Sequence, residues 1–346
     1  MKSFVTGATG RLGKVLIEEM LNRGWSVDAF ALPDDDTSSL QDWGVRIFRG
    51  DITDPATLSI ALQISAADIL FHLAGFVQLG DLGTKENEDR MHEVNVIGTR
   101  NVLNSALQHN IKKAVYLSSV AIFAPSDENS IITENTQNGT THPYVYGQTK
   151  YLAHQEAIKV REQGLQLIIF MPGVVFGPGF PGSMLFLERL KKGQFRYIPD
   201  TIADINIPLV FSRDLVQAVF AGLDMGRFGE QYILVESSPS FQNLAKLASV
   251  VGGNHRLPKP ISYRKALFYA WFVETSAKLS RRTPSITQAR VKSLFARVPS
   301  AKDFYQFDTS KVRTDLNWQP TALEDALGET IYWYSSIYRK NTQEGN

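Results

Sequence analysis

The sequence predicts an α/β chain, with a doubly wound parallel sheet followed by a smaller, mixed C-terminal region. Three observations carry this. Short apolar runs alternate with helix-patterned stretches through the first half, and parallel strands of that kind need helical crossovers covering both faces of the sheet. A glycine-rich turn, Thr6-Gly7-Ala8-Thr9-Gly10-Arg11-Leu12-Gly13, joins the first run to the first helical pattern. After Pro172 the alternation loosens, and Gly177 to Gly182 reads as a loop by composition.

In order, Lys2 to Val5 reads as the first strand and Arg11 to about Arg23 as the first helix. Ser26 to Leu32, Val45 to Phe48, Asp68 to Leu73 and Ala114 to Ser118 read as the next four strands, with a long helical pattern from Asn87 to His109 between the last two. Tyr146 to about Gln163 is a further helix, ended by Gly164, and Leu165 to Phe170 is a sixth strand. Residues 1–172 are expected to form the core, and 173–346 mainly a substrate-binding region with some elements returning to the core. The apolar run Ala266 to Val273 is expected to be a buried helix, with an apolar lid as the alternative.

Composition narrows the function classes. The chain has 346 residues, 43% hydrophobic and 21% charged, which is enough apolar material for a large core. A formal net charge of +1 provides no global field to recruit nucleic acid or an anionic membrane. The absence of cysteine excludes disulfides, thiolate nucleophiles and cysteine-based metal sites. The six histidines form no i, i+4 pair, so no metal is expected. Ser118 and Ser119 lack the G-x-S-x-G elbow of a hydrolase. No apolar signal core precedes the glycine turn, and no apolar run approaches the ~20 residues of a membrane span. A cytoplasmic location is expected.

The glycine turn points to a phosphate-bearing ligand. Glycines allow the tight turn and a close approach of backbone to a pyrophosphate, and the helix that follows offers unpaired N–H groups and a positive dipole end. With a strand before and a helix after, this predicts a Rossmann-type dinucleotide site. The second strand runs into Pro33-Asp34-Asp35-Asp36 with no basic residue, which leans towards NAD over NADP, although Arg11 could reach a 2′-phosphate.

Tyr146-Gly147-Gln148-Thr149-Lys150 sets a phenol and an ammonium one helical turn apart on one face. A lysine cation near a phenol favours the phenolate, so such a pair can pass a proton to a carbonyl oxygen or take one from an alcohol. Ser119 ends the fifth strand, where ligands bind in doubly wound sheets, and its hydroxyl is a candidate to orient the reacting oxygen, with Ser118 in reserve.

These residues resemble the extended short-chain dehydrogenase/reductase family, the NAD-dependent epimerase/dehydratase group, over nearly the whole chain. Besides the glycine turn, the resemblance rests on Gly50-Asp51-Ile52-Thr53-Asp54, Phe71-His72-Leu73-Ala74-Gly75, the Asn95 to Leu103 helix and Pro172-Gly173-Val174-Val175-Phe176-Gly177-Pro178-Gly179, with Arg213-Asp214 and Asp308 to Lys311 as later landmarks. It implies a cofactor, NAD or NADP, held by Gly7, Thr9, Gly10, Arg11, Leu12, Gly13, Asp51, Ile52, Leu73, Ala74, Gly75, Asn95, Ser118, Tyr146, Lys150, Pro172, Gly173, Val174 and Val175. It also implies a homodimer formed through the helices holding Asn95 and Tyr146. The sequence departs from the family's pattern at Met171, Phe176 and Arg213, where arginine, tyrosine and aspartate are usual.

Val120-Ala121 after Ser119 offers no acidic pair for dehydration. Arg189, Lys191, Lys192 and Arg196 could bind a sugar nucleotide's diphosphate, but their spacing equally suits a solvated helix end. Apolar stretches around Phe180 to Leu187 and Phe268 to Phe272 suit an apolar substrate, in outline similar to the dihydroflavonol reductase and 3β-hydroxysteroid dehydrogenase branch. The expectation is hydride exchange with a ketone, aldehyde or secondary alcohol. A nucleotide-sugar epimerase is the alternative, and a non-catalytic cofactor sensor a third reading.

Overall fold

A computed structural model describes residues 1–77, 84–123, 131–136, 142, 145–191, 197–253, 258–280, 284, 286–289, 291–292 and 306–343. In chain order the first half contains β1 (Lys2–Thr6), α1 (Arg11–Asn22), β2 (Ser26–Ala31), α2 (Ser38–Asp42), β3 (Arg46–Arg49), α3 (Pro55–Ser65), β4 (Ile69–His72), α4 (Lys85–His92), a π-helical turn (Glu93–Gly98), α5 (Thr99–Gln108), β5 (Lys113–Leu117), a 3₁₀ turn (Val120–Ile122), β6 (Ile131–Ile132), α6 (Val145–Glu162) and β7 (Gln166–Pro172). The second half contains β8 (Val174–Phe176), α7 (Pro181–Lys191), β9 (Tyr197–Pro199), α8 (Asp200–Ala203), β10 (Leu209–Phe211), α9 (Ser212–Asp224), β11 (Gln231–Leu234), α10 (Phe241–Val251), β12 (Lys259–Ile261), α11 (Tyr263–Leu279), β13 (Gln306–Phe307), α12 (Ser310–Leu316) and α13 (Leu323–Gln343).

Seven parallel strands form the main sheet in the order β11-β7-β5-β4-β1-β2-β3. The six strands expected from the sequence are all in it. Their continuous apolar runs follow from burial on both faces. Phe4, Leu70, Ala114, Tyr116, Leu167 and Ile169 face a core shared with α3, α5 and α6. Val5, Phe71, Val115, Ile168 and Phe170 face the opposite core, shared with α1, α9 and α12. The seventh strand, β11, comes from the C-terminal half.

Strand order reverses between β1 and β4, so the loops leaving their carboxyl ends diverge and open a crevice there. The second region carries small parallel pairs, β8 with β10 and β9 with β12, over separate small cores around Phe176, Leu209, Phe211 and Leu327 and around Ile198, Ala203 and Ala245.

One helix carries an irregularity, and one expectation is corrected. The helix over Asn87 to His109 is not continuous α-helix: it passes through the π turn, where Gly98 lies against Ile52 so closely that a Cβ would come within 2.5 Å of its Cδ1. The run Ala266 to Val273 is helical but not buried. It packs through Ala266 and Ala270, leaving Phe268, Trp271 and Phe272 exposed.

Candidate active site

The glycine turn is built by close approach. Gly7 takes a φ of 73°, and a Cβ there would meet the Ala74 backbone nitrogen at 2.6 Å; one at Gly13 would overlap the Gly7 carbonyl oxygen. Helix α1 starts at Gly10 with no side-chain cap and no acidic residue in its first turn, so its first N–H groups and dipole end are available to an anion.

At the end of β2, Asp35 accepts hydrogen bonds from the Thr9 hydroxyl (2.6 Å) and the Leu32 N–H (3.3 Å). Arg49, at the end of β3, donates to the carbonyls of Leu32 (2.9 Å) and Asp35 (2.7 Å) and to the Thr37 hydroxyl (2.6 Å). The expectation that no basic residue stands at this strand end is therefore corrected, since the register of β3 brings one there. Asp51 accepts from the Thr53 N–H (2.9 Å) and Arg90 (3.0 Å). Burial opposes its charge, but these partners outweigh it and hold the carboxyl below its ordinary value.

Arg11 does not turn towards the β2 end. Its guanidinium donates to the Pro178 carbonyl (2.8 Å) and lies over the Trp333 ring, tying the glycine turn to the loop after β8 and to α13.

Lys150 is buried on α6. Its ammonium donates to the Leu117 carbonyl (3.0 Å) and the Tyr116 hydroxyl (3.3 Å), which fixes it against the carboxyl end of β5. Burial pulls the Lys150 ammonium below its ordinary value, and neighbouring Tyr146 works in the opposite sense. Tyr146 is half-buried in the first turn of α6. Ser119, extended and also half-buried, opens the 3₁₀ turn and accepts from the Ala121 N–H (3.1 Å). Gly147 rests on that turn: a Cβ would meet the Ala121 carbonyl oxygen at 2.8 Å. Its lack of a side chain lets the start of α6 settle beside Ser119.

Behind Lys150 runs a buried polar chain. His72 joins the hydroxyls of Thr6 (2.8 Å) and Thr99 (2.9 Å) and stacks on Tyr116 at 5.3 Å. Burial first, and the Lys150 charge second, push the His72 imidazole down to about 3, so the ring is neutral at ordinary pH. His154, paired with the Ser118 hydroxyl (3.1 Å), is likewise pushed down to about 4 by burial and by Lys150.

The profile of the NAD dependent epimerase/dehydratase family matches residues 3–234. The chain belongs to this family. It is similar to a putative dihydroflavonol 4-reductase of Synechocystis sp., 27% identical over 98% of this chain and 96% of the relative. It is similar to sterol demethylase protein B of Methylococcus capsulatus, 26% identical over 96% and 98%. Among solved structures it resembles that of gox2253, with a TM-score of 0.77 and 26% identity over 97% and 98%. The protein is thus an NAD(P)-dependent enzyme of the epimerase/dehydratase family.

The glycine turn and the end of β4 meet at the crevice between β1 and β4, with Gly7 against Leu73 and Ala74, and Gly10 and Gly13 against the Gly7 carbonyl. Ser118 is buried and engaged with His154, and buried Asn95 bonds the Phe76 backbone (2.7 and 3.0 Å) and the Thr149 hydroxyl (3.1 Å), clamping the end of β4 to α6. Ile52 is buried under Gly98. Gly173, after Pro172, approaches the Pro208 carbonyl too closely for a Cβ; Val174 stays 53% exposed, and Val175 packs on the core. Arg189 is exposed; Lys192, Arg196 and the Lys191 side chain lie outside the described residues.

Sequence reading marks the Asp34 to Asp36 triplet without singling out Asp35, and it misses Tyr116. An acidic triplet at the right distance was the signal for the first. Tyr116 reads only as a core aromatic until its hydroxyl is seen on Lys150.

Proposed function

We propose that this enzyme exchanges hydride with an apolar ketone or aldehyde, or the matching secondary alcohol, with Tyr146 passing the proton. The observation that carries the reading is the Lys150 ammonium, fixed at the carboxyl end of β5 beside Tyr146 and the nucleotide crevice. The residues present fit a dinucleotide, since the glycine turn leaves no room for side chains and α1 begins uncapped.

The nicotinamide cofactor supplies the hydride when bound. The glycine turn and the start of α1 would hold its pyrophosphate, Asp35 the adenosine ribose and Lys150 the nicotinamide ribose. Ser119 orients the substrate oxygen with its hydroxyl, and Tyr146 donates its proton to that oxygen as the carbonyl is reduced. Lys150 stabilises the negative charge left on the phenol, which takes its next proton from solvent. Neutral His72 keeps a second cation out of this neighbourhood while Tyr116 anchors the lysine. In the oxidative direction the same groups act in reverse.

Exposed Val174 beyond β7 and exposed Leu185 on α7 support an apolar substrate, as do relatives named as reductases of ketones, including a 2-alkyl-3-oxoalkanoate reductase of Stenotrophomonas maltophilia. Asp35, bonded to Thr9 where a ribose 2′-hydroxyl would approach, supports NAD over NADP. The test is cofactor oxidation across a panel of apolar carbonyls, with UDP- and GDP-sugars alongside. Turnover of a carbonyl with stoichiometric NADH loss is expected; sugar turnover without net cofactor change would replace this reading with epimerisation.

A further inference from the structure

Helix α11 is built with its large residues on the wrong side for packing. It buries Ala266, Ala270 and Ala277, three small side chains, while Phe268 is 69%, Trp271 51% and Phe272 60% exposed. Phe268, Trp271 and Phe272 stand at i, i+3 and i+4, so they form one stripe, and the Phe268 and Trp271 rings touch at 5.9 Å. Tyr269, at 47% exposure, widens it. Isolated exposed aromatics are ordinary, but a contiguous cluster on one helix marks an interaction surface.

Charge indicates the partner. Arg264 and Lys265 are exposed at one end of the stripe and Lys278 at the other. The helix carries one acidic residue, Glu274, which is half-buried and accepts from the Gln288 N–H (3.1 Å) and its side-chain amide (2.7 Å). The outer face is therefore aromatic with a cationic border, a local asymmetry hidden by a chain-wide charge of +1. A second copy is a poor match, because a two-fold contact through this face brings cation against cation whether the helices run parallel or antiparallel. No helix among the described residues is long and apolar enough to cross a membrane.

We propose that α11 docks this enzyme onto an anionic phospholipid surface, lying in the interface plane with Phe268, Trp271 and Phe272 among the upper acyl chains and Arg264, Lys265 and Lys278 at the headgroups. Aromatic rings settle at this depth, and basic residues near an anionic leaflet add affinity that salt removes. The proposal stands on the helix alone and is independent of the substrate reading.

The experiment is vesicle flotation of the full chain with phosphatidylcholine alone and with roughly a third phosphatidylglycerol. At least about tenfold more protein should float with the anionic vesicles, and high salt should weaken this binding. Phe268→Ser/Trp271→Ser/Phe272→Ser and Arg264→Glu/Lys265→Glu/Lys278→Glu should each lower flotation by about tenfold or more, with turnover of a soluble substrate unchanged. Wild-type protein that stays unbound, or binds both vesicle types equally, overturns the proposal. So does a lipid-free dimer, seen by sedimentation velocity, that the triple serine variant dissociates. Any misfolding of a variant leaves the wild-type comparison of the two vesicles and the salt series decisive.

Discussion

The nucleotide crevice and the C-terminal region are built to different standards. In the crevice, glycines stand where no Cβ fits, and the buried polar groups Thr6, His72, Asn95, Thr99, Ser118 and Lys150 all have partners. In the second region, both carboxylate oxygens of Glu236 and the Ser237 hydroxyl are buried with no hydrogen-bond partner, and α11 turns its aromatics outward. The glycine turn and Lys150 are held by direct close contacts, whereas α11 leaves its large rings to solvent. A site that must hold the proton-transfer groups within tenths of an ångström tolerates no slack, whereas a site for apolar surface needs shape more than directed bonds.

Removing a group that acts directly on the reacting atoms should break the comparison hardest. Tyr146→Phe is expected to lower kcat by about 10²–10⁴-fold while cofactor affinity, measured by fluorescence titration, stays near wild type. Gly7→Ala should come next. Its Cβ collides with the Ala74 backbone, so cofactor affinity is expected to fall at least tenfold and stability by roughly 1–3 kcal/mol in urea unfolding. Tyr116→Phe removes one of the two anchors of Lys150. A kcat loss of about tenfold is expected with a smaller change in KM, together with a displaced pH profile that a merely structural role would not produce.

How far each region could be read from sequence follows the same division. The strands of the crevice half declare themselves because two-sided burial demands unbroken apolar runs such as Ala114 to Leu117, and Gly7 and Gly13 leave no room for a Cβ. The spacing of Tyr146 and Lys150 is legible because both stand on one helix. Tyr116 is not, because its partner arrives from a helix 34 residues away. Asp35 and Arg49 meet at the crevice only through the β2–β3 register. The outward face of α11 stays hidden because an apolar run does not reveal which of its residues pack, and here the alanines do.

Two smaller effects sharpen the contrast. Asp35→Asn should shift the NAD over NADP preference, taken as a ratio of kcat/KM, by about tenfold towards NADP. In the second region, burial pushes the Glu236 carboxyl up to about 7, and the nearby Asp214 carboxylate adds to the effect. A carboxyl whose folded value lies above its unfolded one favours folding while protonated. That contribution is present below about 4.5 and lost as pH rises through 7. Glu236→Gln is therefore expected to raise stability at pH 8 by roughly 1–3 kcal/mol and to change it little at pH 4, read from urea midpoints at the two values.

The reaction proposed for this enzyme is net hydride transfer to a carbonyl carbon, with the proton supplied through Tyr146. Turnover of an apolar ketone with cofactor deuterated at its transferable position tests it directly, with the product examined by mass spectrometry and NMR. One deuterium on the carbinol carbon, with an equivalent of oxidised cofactor, is the predicted result. Product free of deuterium, or a cofactor that ends in its starting redox state, would contradict the account.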